Sequence, residues 1–115
     1  MLYIEGTTVK VTRGDTLYLT VPLNVYVDVY NNVTEPYEMK SGDTLTLSIK
    51  KAIKDEAYVL QKVETGSNTF HFEPGDTTEL AFGKYKYDVQ LDTSDGDRFT
   101  VIPPSTFELL EEVTR

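Results

Sequence analysis

Three aspartates crowd one short segment of the chain and could act as metal ligands. Asp92, Asp95 and Asp97 lie within six residues around Gly96. Carboxylate oxygens are the ligands that Ca²⁺ prefers, but an EF-hand loop ends on a bidentate Glu, whereas Arg98 flanks this group. A β-hairpin turn through the Asp-Gly pair explains the same residues. The three aspartates remain candidate calcium ligands. Because the hairpin turn accounts for them without a metal, we expect the protein to contain no metal or cofactor.

Side chains that could carry catalysis are scarce elsewhere. The sequence has no Cys and one His, His71, which stands between Phe70 and Phe72. In a strand the imidazole would point away from both rings and toward solvent, without a nucleophile or carboxylate near it in sequence. Paired carboxylates for glycoside hydrolysis would need a cleft, and the chain has no Trp to stack on a sugar. These observations predict a protein that is not an enzyme.

A Gly-Asp-Thr tripeptide occurs three times, at residues 14–16, 42–44 and 75–77. Gly allows a positive φ angle, and the Asp carboxylate can accept hydrogen bonds from the backbone that follows. Turn chemistry therefore explains the repeat. The first copy overlaps Arg13-Gly14-Asp15, the tripeptide of integrin ligands, whose recognition requires an exposed loop.

Eight tyrosines are many for a chain of 115 residues. Tyrosine is enriched at protein interfaces because it buries a large area and keeps a polar tip. Alternation turns Tyr18 away from the apolar side chains of its strand, and it places Tyr26 and Tyr30 opposite a row of valines. We predict that Tyr18, Tyr26 and Tyr30 form a surface that meets a partner.

Length and charge limit the classes of protein to which the chain could belong. The chain forms one domain of residues 1–115 by this interpretation, since its length suits a single core. It carries 19 acidic and 11 basic residues, a net charge of −8, which would repel nucleic acid. No apolar stretch approaches the roughly 20 residues of a membrane span. The first residues lack the pattern of a secretory signal, so we expect synthesis in the cytoplasm.

Hydrophobic periodicity predicts an all-β fold. Apolar residues alternate with polar ones in Thr16–Leu23, Thr44–Lys50 and Lys84–Leu91. Shorter candidate strands are rich in β-branched and aromatic residues: Leu2–Glu5, Val9–Thr12, Val25–Tyr30, Ala57–Val63, Thr69–Glu73 and Arg98–Ile102. The segment after Pro103-Pro104 fits either a last strand, which we favour, or one helical turn. The pattern indicates an antiparallel β-sandwich of the immunoglobulin-like kind, with a small β-barrel as the alternative.

Two runs of sequence carry a resemblance to a known family. One is Thr12-Arg13-Gly14-Asp15-Thr16 leading into a strand and continued by the Ser41–Lys51 run SGDTLTLSIKK. The other is the Gly83–Leu91 run GKYKYDVQL, followed by Asp95-Gly96 and Thr100-Val101-Ile102. Together they resemble small phage and prophage proteins of Firmicutes, and specifically the immunoglobulin-like N-terminal domain of siphophage baseplate upper proteins. The resemblance implies a β-sandwich structural module of a virion or prophage, without catalytic residues.

Two classes of function follow from the sequence. The first is a non-catalytic structural or assembly protein of the phage tail or baseplate type, which would bind other virion proteins or itself and end in the virion. The second is a stand-alone binding module for a small ligand, a carbohydrate or calcium, with the Asp92–Asp97 loop and nearby tyrosines as its site. Neither class requires nucleic acid or a membrane.

Overall fold

The structure, a computed structural model, describes residues 2–5, 7–28, 30–31 and 33–112. Nearly all of its regular structure is β, so the prediction of an all-β fold is confirmed. The elements in chain order are β1 (Leu2–Glu5), β2 (Thr8–Thr12), β3 (Leu17–Thr20), β4 (Asn24–Asp28), β5 (Val33–Pro36), β6 (Thr44–Lys50), β7 (Leu60–Thr65), β8 (Thr69–Phe72), α1 (Pro74–Thr78), β9 (Gly83–Asp92) and β10 (Arg98–Leu110).

Six strands form one curled sheet in the order β1-β2-β10-β9-β6-β7. Strands β3 and β8 pair as a second, two-stranded sheet, and β4 and β5 pair as a third. Six of the seven strand pairs in the described sheets are antiparallel. The pair β2–β10 is parallel, which corrects the expectation of a wholly antiparallel fold.

The core lies between the curled sheet and the β3–β8 sheet. Alternate residues of β6 are buried on one side, with Leu45 and Leu47 fully inaccessible. Leu17 and Leu19 of β3 and Phe70 and Phe72 of β8 cover them from the other layer. The burial of one face per strand follows the alternation in the sequence, and it leaves the opposite face of the curled sheet polar.

The last strand is longer than the sequence predicts. Strand β10 runs to Leu110, and Phe107 and Leu109 are buried on alternate positions, which confirms a strand rather than a helical turn. Pro103 and Pro104 lie inside it, where the pairing with β9 shifts register between Ile102 and Ser105. Proline has no N–H to donate, so it is accommodated where the ladder is interrupted.

Two elements escape the sequence analysis. The third Gly-Asp-Thr copy does not open a strand but lies in α1, whose first turn is closed by Glu73 N–H donating to Asp76 Oδ2 at 2.8 Å. The second is β5, a short strand exposed along its length. Within the described residues, no helix has the length and apolar character needed to cross a membrane.

Candidate functional site

The β4–β5 hairpin stands apart from the rest of the fold. It pairs with neither of the other two described sheets, and Tyr37 N–H donates to Leu23 O at 2.8 Å to close its base. Among the hairpin residues whose burial the structure describes, Asn24, Tyr30, Asn31 and residues 33–36 are all exposed. The molecule measures 49 × 28 × 27 Å with a radius of gyration of 15.2 Å, against about 13 Å for a compact domain of this length. The hairpin therefore forms an arm in which each strand has one edge without a ladder partner in the described sheets.

The three predicted interface tyrosines lie on two different sheets. Tyr18 is 63% exposed on β3 and stacks on His71 of β8, with ring centroids 4.5 Å apart. Tyr30 is fully exposed in the turn of the hairpin. Tyr26 belongs to β4, and its side chain lies outside the described part of the structure. The exposure of Tyr18 agrees with the predicted orientation. Tyr30 lies in the turn after β4 rather than in the predicted strand Val25–Tyr30, and the contact of both residues with a partner stays a prediction.

An apolar recess opens beside the base of the arm. It has a volume of about 520 Å³. Its lining comes from the chain leading into β4, from Tyr37 and from the adjoining ends of β9 and β10, namely Pro22, Leu23, Asn24, Tyr37, Leu91, Thr93, Phe99, Thr100 and Val101. Phe99 is 54% exposed at this recess. An exposed aromatic ring next to an apolar recess is typical of a surface that meets another protein.

The candidate calcium loop is a hairpin turn between β9 and β10. Thr93 N–H donates to Asp97 O at 2.8 Å, and Asp92 accepts a hydrogen bond from Arg98 Nε at 2.7 Å. Asp95 is exposed in the turn. In the part of the chain that the structure describes, no three carboxylate or histidine groups lie close enough to hold a metal ion. The structure therefore does not bring the three aspartates together.

The Arg-Gly-Asp tripeptide lies at the end of strands β9 and β10 that is opposite the β9–β10 turn. Its residues there bond to distant parts of the chain. The guanidinium of Arg13 binds both carboxylate oxygens of Glu112, at 2.7 and 3.2 Å, and donates to Leu80 O at 3.0 Å. Gly14 N–H donates to the buried Thr77 Oγ1 at 2.8 Å. The pairing with Glu112 raises the pKa of Arg13. An arginine committed to these contacts is not presented as an adhesion motif would require.

A buried carboxylate that the sequence analysis missed joins three turns at the end near the arm. Asp43 is inaccessible to solvent, and its side chain accepts hydrogen bonds from Tyr37 Oη at 2.5 Å, Lys40 N–H at 3.0 Å and Ser94 N–H at 2.9 Å. Its carbonyl accepts from Gly66 N–H at 2.9 Å. These bonds lower the pKa of Asp43 to about 2, the bond from Tyr37 contributing most.

The neighbouring glycine makes this junction possible. Gly42 has φ +92°, and an added Cβ would lie 3.1 Å from Cβ of Ser94. The second Gly-Asp-Thr copy therefore places its Asp against another turn, and the buried carboxylate fixes Tyr37, which lines the recess. The repeated Gly-Asp-Thr tripeptide is the sequence signal that points to Asp43. It does not predict that Asp43 is buried, because the burial depends on the distant β9–β10 turn.

No protein-family model, curated protein or solved structure matches the chain.

Proposed function

We propose that the chain is a non-catalytic assembly module of the phage tail or baseplate type, which works through protein–protein contacts. The observation that carries the proposal is the β4–β5 arm. In a two-stranded sheet each strand has one edge without a ladder partner, and an isolated pair of strands is marginally stable in water. Such edges bind readily to a strand of another chain, which supplies main-chain hydrogen bonds.

The partner that suits the arm is a second copy of the chain. The sequence of β4, NVYVD, is rich in apolar and β-branched residues, and the recess at the base of the arm is apolar. An arm that enters the recess of its partner, while the partner's arm does the same, forms a two-fold contact from a single kind of surface. Further virion proteins would then bind the assembled form.

The resemblance to the immunoglobulin-like baseplate domain belongs to the same proposal. Two layers that face one core support a sandwich, and we take the curled six-stranded sheet and the β3–β8 sheet as its layers. The proposed protein is made in the cytoplasm and enters the particle by these contacts. It carries out no reaction.

The arm is tested by the double substitution Tyr26→Ser and Tyr30→Ser. Removing two aromatic side chains from an interface is expected to weaken self-association by about tenfold or more. The thermal unfolding temperature of the monomer should change little, because Tyr30 is fully exposed and β5, the strand that pairs with β4, is exposed along its length. Sedimentation velocity over a range of concentrations measures the association.

The control is Tyr58→Ser, which removes a tyrosine that is 52% exposed and lies outside the arm. We expect this variant to associate like the wild-type chain. A second variant replaces residues 25–35 by a short Gly-Ser turn, which joins the two chain segments that the bond from Tyr37 N–H to Leu23 O already holds together. This variant should be monomeric. Unchanged association of both arm variants would show that the interface lies elsewhere.

A further inference from the structure

A polar groove crosses the face of the curled sheet that points away from the core. Its volume is about 420 Å³. Strands β6, β7, β9 and β10 supply its floor, and the segment between β6 and β7 supplies a wall that includes Tyr58. Neighbouring strands are about 4.8 Å apart, so four strands span about 14 Å. An extended ligand can therefore lie across the strands.

The groove mixes both signs of charge with neutral hydrogen-bonding groups. Its side chains include two carboxylates, three cations, two amides and two hydroxyls, namely Asp88, Asp92, Lys50, Lys86, Arg98, Gln61, Gln90, Thr46 and Ser48. A strongly anionic ligand would meet the carboxylates, and a cationic ligand would meet the lysines and the arginine. An apolar ligand would bury polar groups without partners, which is costly. A hydroxyl group both donates and accepts, so a polyhydroxylated ligand suits these polar side chains, while the apolar lining residues Ile53, Val63 and Pro104 can contact its C–H groups.

Several of these groups are available to a ligand. Thr46, Asp88 and Gln90 are half-buried, and none has a side-chain hydrogen bond to another described residue. By contrast, Gln61 Nε2 donates to Ser48 Oγ at 3.0 Å, and Arg98 pairs with Asp92. Paired groups hold the side chains of the floor in place. The unpaired groups on β6 and β9 offer donors and acceptors at fixed positions along the groove.

Tyr58 adds an aromatic surface at the edge of the groove. Its side chain is 52% exposed, and Lys50 Nζ lies 5.0 Å from the centroid of its ring. The cation–π contact holds the ring against the floor of the groove. The C–H groups of a sugar ring can pack on such a face while its hydroxyls reach the polar side chains, since a tyrosine ring is apolar over its faces.

We propose that this groove binds a neutral oligosaccharide laid across β7, β6, β9 and β10. Gln90 and Asp88 hydrogen-bond its hydroxyls from the floor, and Tyr58 packs against one of its rings. The site is separate from the proposed assembly surface, because the groove and the recess at the arm have no lining residue in common. Substitutions in the groove are therefore expected to weaken glycan binding without changing self-association, and substitutions in the arm to do the reverse.

The test uses the labelled protein of residues 1–115 on a printed array of neutral, sulfated and uronic-acid glycans. Hits are then titrated as free oligosaccharides while ¹H–¹⁵N spectra are recorded. We expect at least one neutral glycan to bind saturably and to shift amides of β6 and β9. The substitutions Gln90→Ala and Tyr58→Ala should each weaken binding by about tenfold, the loss of a hydrogen bond or packing contact of about 1.4 kcal/mol.

The control is Lys84→Ala, because Lys84 lies on β9, on the same face as Lys86, and outside the groove. It should bind like the wild-type protein. The proposal is wrong if no glycan on the array binds, or if binding is confined to sulfated and uronic-acid glycans. It is equally wrong if Gln90→Ala and Tyr58→Ala bind as well as Lys84→Ala does.

Discussion

Replacing Phe107 by alanine is expected to lower the free energy of unfolding by about 3–5 kcal/mol, the usual cost of removing a fully buried Phe side chain. Phe107 is 1% exposed, and its ring lies 6.1 Å from that of Phe72 and 6.0 Å from that of Tyr87, measured between centroids. It therefore contacts both layers of the core. Urea denaturation followed by circular dichroism measures the loss, which is a large share of the about 5–15 kcal/mol of a typical domain.

The control for this prediction is Phe99→Ala on the same strand. Phe99 is 54% exposed, so its removal should cost less than about 1 kcal/mol. Equal losses for the two variants would contradict the placement of Phe107 between β2 and β9. A large loss for Phe107 alone would support that placement, because only Phe107 is buried in it.

Asp43→Asn is expected to lower the unfolding temperature by several degrees at pH 7. The carboxylate accepts from two backbone N–H groups and from Tyr37, whereas an amide has one acceptor oxygen and would turn its NH₂ group toward a donor. The segment of Tyr37 and Lys40 and the turn at Ser94 would lose part of their shared side-chain partner, whereas the bond from Gly66 N–H to the Asp43 carbonyl would remain. Thermal unfolding followed by circular dichroism measures the change, and Asp95→Asn, in an exposed turn, is the control.

The same carboxylate gives the prediction a pH dependence. Asp43 has a pKa of about 2 in the folded protein against 3.8 for the ordinary group. Its stabilising contribution is thus complete above about pH 4 and is lost as the pH falls toward 2. The difference between wild type and Asp43→Asn should be constant near neutral pH and shrink over that acidic range. A difference that does not depend on pH would contradict the role of the ionised carboxylate.

The strands that the sequence predicts best are those buried on one face. The boundaries of β6 match the alternation of Thr44–Lys50, and β9 extends the predicted Lys84–Leu91 by one residue at each end. The predicted strand Thr16–Leu23 ends earlier, at Thr20, since Pro22 cannot donate to a ladder. The alternation of apolar and polar residues can be seen within one strand, and it occurs in every strand that packs one face against the core. These strands can therefore be predicted from the sequence.

The features that the sequence does not predict depend on distant parts of the chain. The parallel pairing of β2 with β10 joins segments from the two ends, so no local pattern announces it. The burial of Asp43 requires the turn at Ser94, and an identical tripeptide at residues 75–77 lies in a helix instead. The arm depends on β5, whose residues are all exposed. A strand without a buried face shows no alternation of apolar and polar residues, so the sequence does not predict it.

The central claim, self-association through the arm, is tested most directly by the absolute mass of the wild-type chain in solution. Light scattering after size exclusion, over a range of concentrations and with and without added calcium, gives that mass. We predict a discrete oligomer of even number that calcium does not change, because the described structure brings no three metal-binding groups together. A strict monomer at every concentration would contradict the claim.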